Sequence, residues 1–345
     1  PNTRTTYPPI YLELFTSMDP LGVKADGSYD FDATFEKTMA YLNEVNEPLS
    51  YYSDYRGLMT ARTAWDKDAV MFFMEPRNVA GGHTHGSRNG FLVVGLGREW
   101  SSKHQLVEAP SSWHSVMLVD GKGQGWEGGK CPQGKTLDYI DTEAATFLVG
   151  DATWAYSYNM VNKTEQGDPM PITPNDSRLT KSSLPWMDMP WSDLPQWLSG
   201  AKPSRKAGAG HSHWRLYNPV EYSFRTGGLI RGKYPYSLVI DDMKKDSDAH
   251  IYTWQMQLAP DLTVEKSGGQ GMLDLTLVEP GDRRCLVRCV EAGGQPVSAA
   301  VANASGHDPL ETENRQKKPQ TNNRLTIKAQ STQGDFKTLI YPYRP

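Results

Sequence analysis

Cysteine is scarce in this chain: three residues in 345, too few for a disulfide framework. Cys285 and Cys289 stand four apart in Arg283-Arg284-Cys285-Leu286-Val287-Arg288-Cys289-Val290, which reads as a strand. Residues four apart on a strand lie about 13 Å apart, beyond disulfide reach, so both are expected to be packing thiols, and Cys131 stands alone. An excess of charge of one sign is also lacking. Lys and Arg number 36 against 40 Asp and Glu, a net charge of −4, which gives no support to a nucleic-acid partner. A polyanionic ligand would have to meet a local cluster of basic residues. No apolar run approaches membrane-spanning length, so no membrane partner is expected. The chain lacks an initiator Met and a signal sequence and reads as processed or excised. Amphipathic helical pattern is nearly missing as well.

Glycine and proline are plentiful (31 and 24), as are Trp and Tyr (10 and 17), a profile that suits an all-β protein with many turns. The first fifty residues hold the one convincing helix: Asp32 is placed to cap it, Phe35, Met39, Leu42 and Val45 follow at helical spacing, and Pro48 stops it. Strand patterns then dominate. Segments 58–65, 69–75, 90–96, 115–120 and 145–150 are short, rich in Val, Leu and Phe, and separated by turn residues. A second series covers 220–225, 236–241, 250–258, 272–278, 284–291, 297–302, 324–329 and 336–341. So many strands with so little helix predict a large antiparallel β-sandwich behind a short N-terminal helical segment. The boundaries expected are 1–50 for the helical remnant or linker and 51–260 for the sandwich. Residues 261–345 either complete the sandwich or form an accessory sheet.

The stretch richest in chemistry is Gly81-Gly82-His83-Thr84-His85-Gly86-Ser87-Arg88-Asn89-Gly90-Phe91, which runs into Leu92-Val93-Val94. On an extended segment His83 and His85 point to the same side, where two imidazoles can bind a metal, meet an anion or move a proton. A second pair, His211-Ser212-His213, closes the irregular segment 166–210 with its Pro/Trp recurrences at Trp186, Trp191 and Trp197. One reading of that segment is a lid whose indoles, Trp191 among them, stack on sugar rings. The other is a long loop pinned by its aromatics. His250, Tyr252 and Trp254 share one face of a strand that either meets sugar or packs in the core. Asp120-Gly121-Lys122-Gly123-Gln124-Gly125 lacks the Gly-Lys-Ser/Thr ending of a phosphate loop.

Taken in order, several motifs resemble the β-sandwich part of the heparinase II/III-like polysaccharide lyases, nearest to the oligoalginate lyases. They are Gly57–Trp65 before Asp68–Phe73; the Gly-Gly-His-Thr-His segment with Arg88-Asn89-Gly90-Phe91; Gly97-Arg98-Glu99-Trp100; and His114–Gly121 with Gly123-Gln124. Val149–Tyr156, Phe224–Gly232 and Pro235–Asp242 follow. The resemblance spans about residues 50 to 260 and rests on the order and number of motifs. It departs at Ser87, where the family commonly carries an acid, and near Lys103-His104, where it often has an Asp. The family's N-terminal helical toroid, which supplies the usual Tyr and Asn/Arg of the catalytic centre, is not in this chain. Residues 1–50 hold at most its final helix, so the chain resembles half an enzyme.

What the resemblance implies is β-elimination on a uronate-containing anionic polysaccharide, alginate-like chains first, in a periplasmic or secreted protein. Such a site must neutralise the uronate carboxylate, remove the C5 proton and protonate the departing C4 oxygen. By the family motif His83 is the candidate for carboxylate neutralisation or base work, assisted by Arg88 and Asn89. Trp191, His211 and His213 are candidates for substrate binding. Tyr156 and Tyr222 are weak substitutes for the absent Tyr acid. In heparinase II-like members a structural zinc is held by the second His of the motif, an acid and a later His; here His85, His104 and His114 make the corresponding set. The alternative reading is a non-catalytic carbohydrate-binding or structural sandwich. A hydrolase is a weaker third option, since no convincing carboxylate pair presents itself.

Overall fold

Residues that alternate between apolar and polar along a strand bury one face and leave the other to solvent, and this chain does so repeatedly. Leu273, Leu275 and Leu277 are buried while Asp274 and Thr276 between them are not. In the computed structural model, which describes residues 31–78, 85–101, 111–125, 132–161, 213–259, 261–269, 272–292, 297–305 and 321–345, these alternations build an antiparallel sandwich.

One layer is an eight-stranded sheet in the order β14-β15-β16-β19-β12-β11-β8-β7. Its strands are β7 (Lys135–Asp141), β8 (Ala145–Asp151), β11 (Tyr222–Ile230), β12 (Tyr236–Lys244), β14 (Thr263–Gly269), β15 (Met272–Val278), β16 (Arg284–Ala292) and β19 (Phe336–Tyr343). Facing it are two smaller sheets. The first is a five-stranded meander of β1 (Ser50–Ser53), β2 (Leu58–Arg62), β3 (Met71–Glu75), β4 (Gly90–Gly95) and β5 (Arg98–Ser101). The second, in the order β17-β18-β13-β6, is made of β6 (Met117–Val119), β13 (His250–Leu258), β17 (Ser298–Ser305) and β18 (Thr321–Ser331). Strands late in the chain therefore lie beside β12 in one layer and beside β13 in the other.

A single apolar cluster joins the three sheets, with Phe72, Met74, Val93, Trp254, Val287 and Ile340 among its members. Gly227 of β11 lets the layers close: a Cβ there would stand 2.6 Å from the Met74 sulfur and 2.8 Å from the Phe72 ring. Cys285 and Cys289 are buried thiols on the inner face of β16, and burial pushes the Cys285 thiol pKa up. A two-stranded ribbon pairs β9 (Tyr158–Val161) with β10 (His213–Leu216). The helix α1 spans Phe31–Glu44, so Asp32 stands inside its first turn rather than at the cap; an end displaced by a residue or two is ordinary for helices. Among its periodic residues Leu42 is buried, whereas Phe35 and Val45 are each 42% exposed. A short helix, α2 (Thr153–Ser157), follows β8.

The face shared by His250, Tyr252 and Trp254 resolves in favour of the core, since Tyr252 and Trp254 have no exposed surface. His250 is clamped between carboxylates. Its Nδ1 lies 2.7 Å from Asp120 Oδ2 and its Nε2 2.8 Å from Asp246 Oδ1. Asp120 also accepts from Lys245 Nζ at 3.0 Å and from the Ile251 amide at 3.1 Å. The clamp ties the turn after β6 to the β12–β13 connection. Burial disfavours the imidazolium, but the hydrogen bonds to Asp246 and Asp120 outweigh it and raise the His250 pKa. Burial likewise works against the Asp120 carboxylate and is outweighed by the Ile251 amide, Lys245 and His250, which lower its pKa. Hydrogen bonds from His250 and the Asp248 amide lower that of Asp246.

A folded-state histidine pKa above the unfolded value means stabilisation that is complete below about pH 6 and fades as pH rises through the folded pKa. On the acid side it is lost as pH falls through the two depressed carboxylate pKa values. The gap in urea midpoint between the wild type and His250→Gln is therefore expected to be widest near pH 5–6 and to shrink by about pH 9. A gap that does not change with pH would mean that the imidazolium is not the species held.

Candidate active site

β3 ends and β4 begins at the paired positions Glu75 and Gly90, and the chain between them carries the candidate residues. Asn89 closes this connection with its amide on the Glu75 carbonyl at 3.0 Å and a left-handed backbone, φ 61°, which Asn tolerates better than most side chains. Its Nδ2 donates to the Gly150 carbonyl at 3.0 Å. The approach needs glycine there, because a Cβ on Gly150 would fall 2.6 Å from the Pro76 ring and still nearer the Asn89 amide oxygen.

Arg88, proposed from its sequence position to assist His83 at the substrate, is instead wholly buried. Its Nε donates to the Pro132 carbonyl at 2.7 Å. Its backbone makes a reciprocal pair with the Gln124 side chain: the Arg88 amide donates to Gln124 Oε1, and Gln124 Nε2 donates to the Arg88 carbonyl, both at 2.7 Å. A guanidinium with no surface cannot meet a polymer, so Arg88 frames the site. Asn89, 4% exposed, does the same.

The cation that organises the frame is Arg225 on β11. Its Nε and Nη2 hold the Asp241 carboxylate at 2.7 and 3.0 Å, and its Nη1 donates to the carbonyls of Asn89 (2.7 Å) and Ser115 (2.8 Å). Its guanidinium also lies over the Phe91 ring, 5.2 Å from the centroid. From the other sheet, Gln255 Nε2 donates to the His114 carbonyl at 2.7 Å, and Gln257 Nε2 donates to the Ser112 carbonyl at 3.1 Å. The Gln257 amide donates to Ser115 Oγ at 3.1 Å. These residues were not singled out from sequence. The signal available was a polar residue recurring within strands otherwise apolar: Arg225 in β11, Gln255 and Gln257 in β13.

The frame presents two imidazoles. His85 is half-buried and His114 is 3% exposed; His85 Nδ1 and His114 Nε2 stand 3.2 Å apart, with rings 5.0 Å apart and tilted by 50°. A water-sized cavity of about 10 Å³ beside them is lined by Glu75, Ser87, His114 and Ser115. Ser87 Oγ donates to Glu75 Oε1 at 3.1 Å, so a carboxylate from β3 stands beside the position where the resembled family carries its acid. Among the described residues no third His, Cys, Asp or Glu completes a metal cluster. His83, His104, Trp191 and His211 lie outside the described residues, as does the whole segment 162–212. His213 is placed in β10, paired with Val161. Tyr156 is buried, with its hydroxyl on the Met117 carbonyl at 2.6 Å, which removes it as an acid. Burial, then the neighbouring Asp242 and Asp335, push the Tyr222 hydroxyl pKa up.

Comparison with known proteins bears on the fold. No family model and no curated protein matches this chain. Among solved structures, heparan sulfate lyase HepC from Pedobacter heparinus matches with a TM-score of 0.54 at 11% identity, over 90% of this chain and 42% of that one. A heparinase III matches with a TM-score of 0.53 at 10% identity, over 86% of this chain and 37% of that one. Another heparinase III structure gives 0.52 at 10% identity, over 90% and 41%. The fold is thus like that of a part of these polysaccharide lyases, and the chain spans about two-fifths of their length.

Removing one partner of a buried ion pair strands the other. Arg225→Met is expected to cost about 3–5 kcal/mol in urea unfolding, and Arg225→Met/Asp241→Leu to recover much of that loss. Equal destabilisation by the single and double variants would show that the uncompensated carboxylate is not what destabilises the single one.

Proposed function

We propose that this chain is the sandwich part of a polysaccharide lyase that cleaves a uronate-containing anionic polymer by β-elimination. Uronate is common to heparan-type and alginate-type substrates, and the sequence resemblance favours the alginate type. The observation that carries the reading is the His85–His114 pair, 3.2 Å apart, in which His85 closes the Gly-Gly-His-Thr-His motif of the sequence, on a polar frame in a fold like that of heparinase III.

In the reaction proposed, His83 neutralises the uronate carboxylate or takes the C5 proton. The electron pair left at C5 is stabilised through the carboxylate as an enolate. The C4–O bond then breaks, leaving a C4–C5 double bond, and the departing oxygen receives a proton. By the same resemblance that acid is a Tyr on a helical toroid domain. Arg88 and Asn89 act as positioning residues that hold the β3–β4 connection. Trp191, His211 and His213 remain candidates for the substrate-binding side. The polymer is one met outside the cytoplasm, in keeping with a periplasmic or secreted protein. Among the described residues no helix is long and apolar enough to cross a membrane.

The chain supplied together with a helical toroid domain and mixed with alginate, heparin, chondroitin or ulvan is expected to raise ultraviolet absorbance on one of them as unsaturated uronate forms, and His83→Ala to abolish the rise; a rise from the chain by itself would show that the acid lies within it. Flat traces from the chain by itself fit an incomplete enzyme or a binding module; flat traces with the toroid supplied and binding retained would identify a carbohydrate-binding sandwich.

Zinc is the metal that the histidines fit. Two nitrogens each about 2.0–2.1 Å from a tetrahedral zinc stand about 3.3 Å apart, close to the 3.2 Å between His85 and His114. His104 is the third ligand proposed. Zinc there would be structural, cross-linking the His85 connection to the turn at His114. Chelation is expected to lower the melting temperature, and metal analysis to show about one equivalent of zinc, lost in His114→Ala. A metal-free protein whose melting ignores both chelator and added zinc would overturn the assignment.

A further inference from the structure

The β1–β2 turn carries a feature that the proposed chemistry does not use. Among the described residues Tyr55 is the most exposed of the large apolar and aromatic side chains, at 79%. Arg56 beside it is exposed and makes no ion pair among the described residues. The turn is firmly seated. The Arg77 amide donates to the Gly57 carbonyl at 2.9 Å and the Asn78 amide to the Arg56 carbonyl at 3.1 Å. Asn78 Nδ2 donates to the Asp54 carbonyl at 2.6 Å, while its Oδ1 accepts the Thr136 amide at 2.7 Å. Gly57 takes a left-handed backbone, φ 62°, with Asn78 packed where a Cβ would stand.

Arg77 is itself left-handed, φ 60°, a conformation rare for a side chain that cannot satisfy its own backbone. That backbone places it between the turn and the site. Its Nε is 3.5 Å from Glu75 Oε2 with a third of the side chain exposed, and the other Glu75 oxygen takes the Ser87 hydroxyl. The turn that carries Tyr55 and Arg56 is thus tied through its backbone to Arg77, and Arg77 reaches Glu75 of the polar cluster around Ser87 and His114; we call Tyr55, Arg56 and Arg77 the shelf.

We propose that this shelf is a subsite for an acidic sugar residue of the polymer, outside the bond that reacts. The Tyr55 ring offers an apolar face to the C–H side of a pyranose. Arg56 and Arg77 offer planar, permanently charged forks that match a carboxylate or sulfate in geometry. The inference rests on the functional reading above, since it gives the same anionic polymer a second contact. It also supplies the local cations that a chain of net charge −4 needs, and that buried Arg88 and Arg225 cannot provide.

The test is titration calorimetry on the intact chain with a polyuronate hexasaccharide, a sulfated heparin hexasaccharide and a neutral hexasaccharide. Wild type, Tyr55→Ala, Arg56→Gln and Arg56→Glu are compared; all three substitutions are on exposed positions, and circular dichroism checks their fold. Arg56→Gln is expected to weaken the better acidic ligand about tenfold and to flatten its salt dependence, with Arg56→Glu weaker still. Tyr55→Ala is expected to weaken it similarly with the salt dependence unchanged. Whichever acidic ligand loses more affinity on Arg56→Gln identifies carboxylate or sulfate as the group held. Wild-type binding that all three variants retain at full strength would overturn the subsite and leave the lyase reading standing. No binding of either acidic ligand by the wild type, together with flat absorbance traces, would remove both.

Discussion

One buried guanidinium fixes the relation between the two layers where the candidate site lies. Arg225 reaches from the eight-stranded sheet to the carbonyls of Asn89 and Ser115, which belong to two separate connections on the opposing side. Its charge is matched by Asp241 on the adjacent strand. Burying an ion pair costs desolvation that Coulomb attraction alone seldom offsets, so the return lies in geometry. Each hydrogen-bonding edge of the planar fork has one acceptable position, and lysine could not replace it. The β3–β4 connection and the residues after His114 are held together through one side chain.

Around that anchor the frame is built from amide groups. The Gln124 side chain pairs with the backbone of Arg88 as a strand neighbour would. Gln255 and Gln257 supply donors to the carbonyls of the turn from Ser111 to His114. Neutral amides satisfy buried carbonyls without bringing further charge into a low-dielectric region. The histidines are therefore carried on backbone whose polar groups are largely used up internally, the kind of support that keeps two facing side chains in register. At the far end of β13, His250 serves a different purpose: its two carboxylate partners consume both ring nitrogens, which leaves neither for chemistry.

The strands that sequence pattern predicts and those it misses differ in place. Segments 250–258 and 272–278 coincide with β13 and β15, both flanked by neighbours on either side. The pattern passes over β1, β5, β7 and β14, the edges of the five- and eight-stranded sheets, and over both strands of the β9–β10 ribbon. Edge strands carry polar and charged residues that discourage pairing with other chains, as in Lys135-Thr136-Leu137-Asp138 of β7, so apolar alternation fades there. The site was legible to a different degree. Proximity in sequence suggested Arg88 as a partner of His83, yet Pro132 and Gln124, both distant in sequence, enclose it. The meeting of His85 with His114 was foreseen only through family resemblance. The Arg225 anchor depends on pairings far apart in the chain that no local pattern encodes.

The ribbon of β9 and β10 has a consequence for how this protein can vary. Val161 and His213 are cross-strand partners, so the chain departs into residues 162–212 and returns at neighbouring points. For any segment whose two ends are held side by side, closure entropy depends only weakly on length, about 0.6 kcal/mol per doubling for a flexible chain. The ribbon is a boundary in the chain's connectivity: residues 162–212 leave and rejoin the described fold at one place. By closure entropy alone, a change in the length of that segment costs less than one inside a strand that holds the layers together.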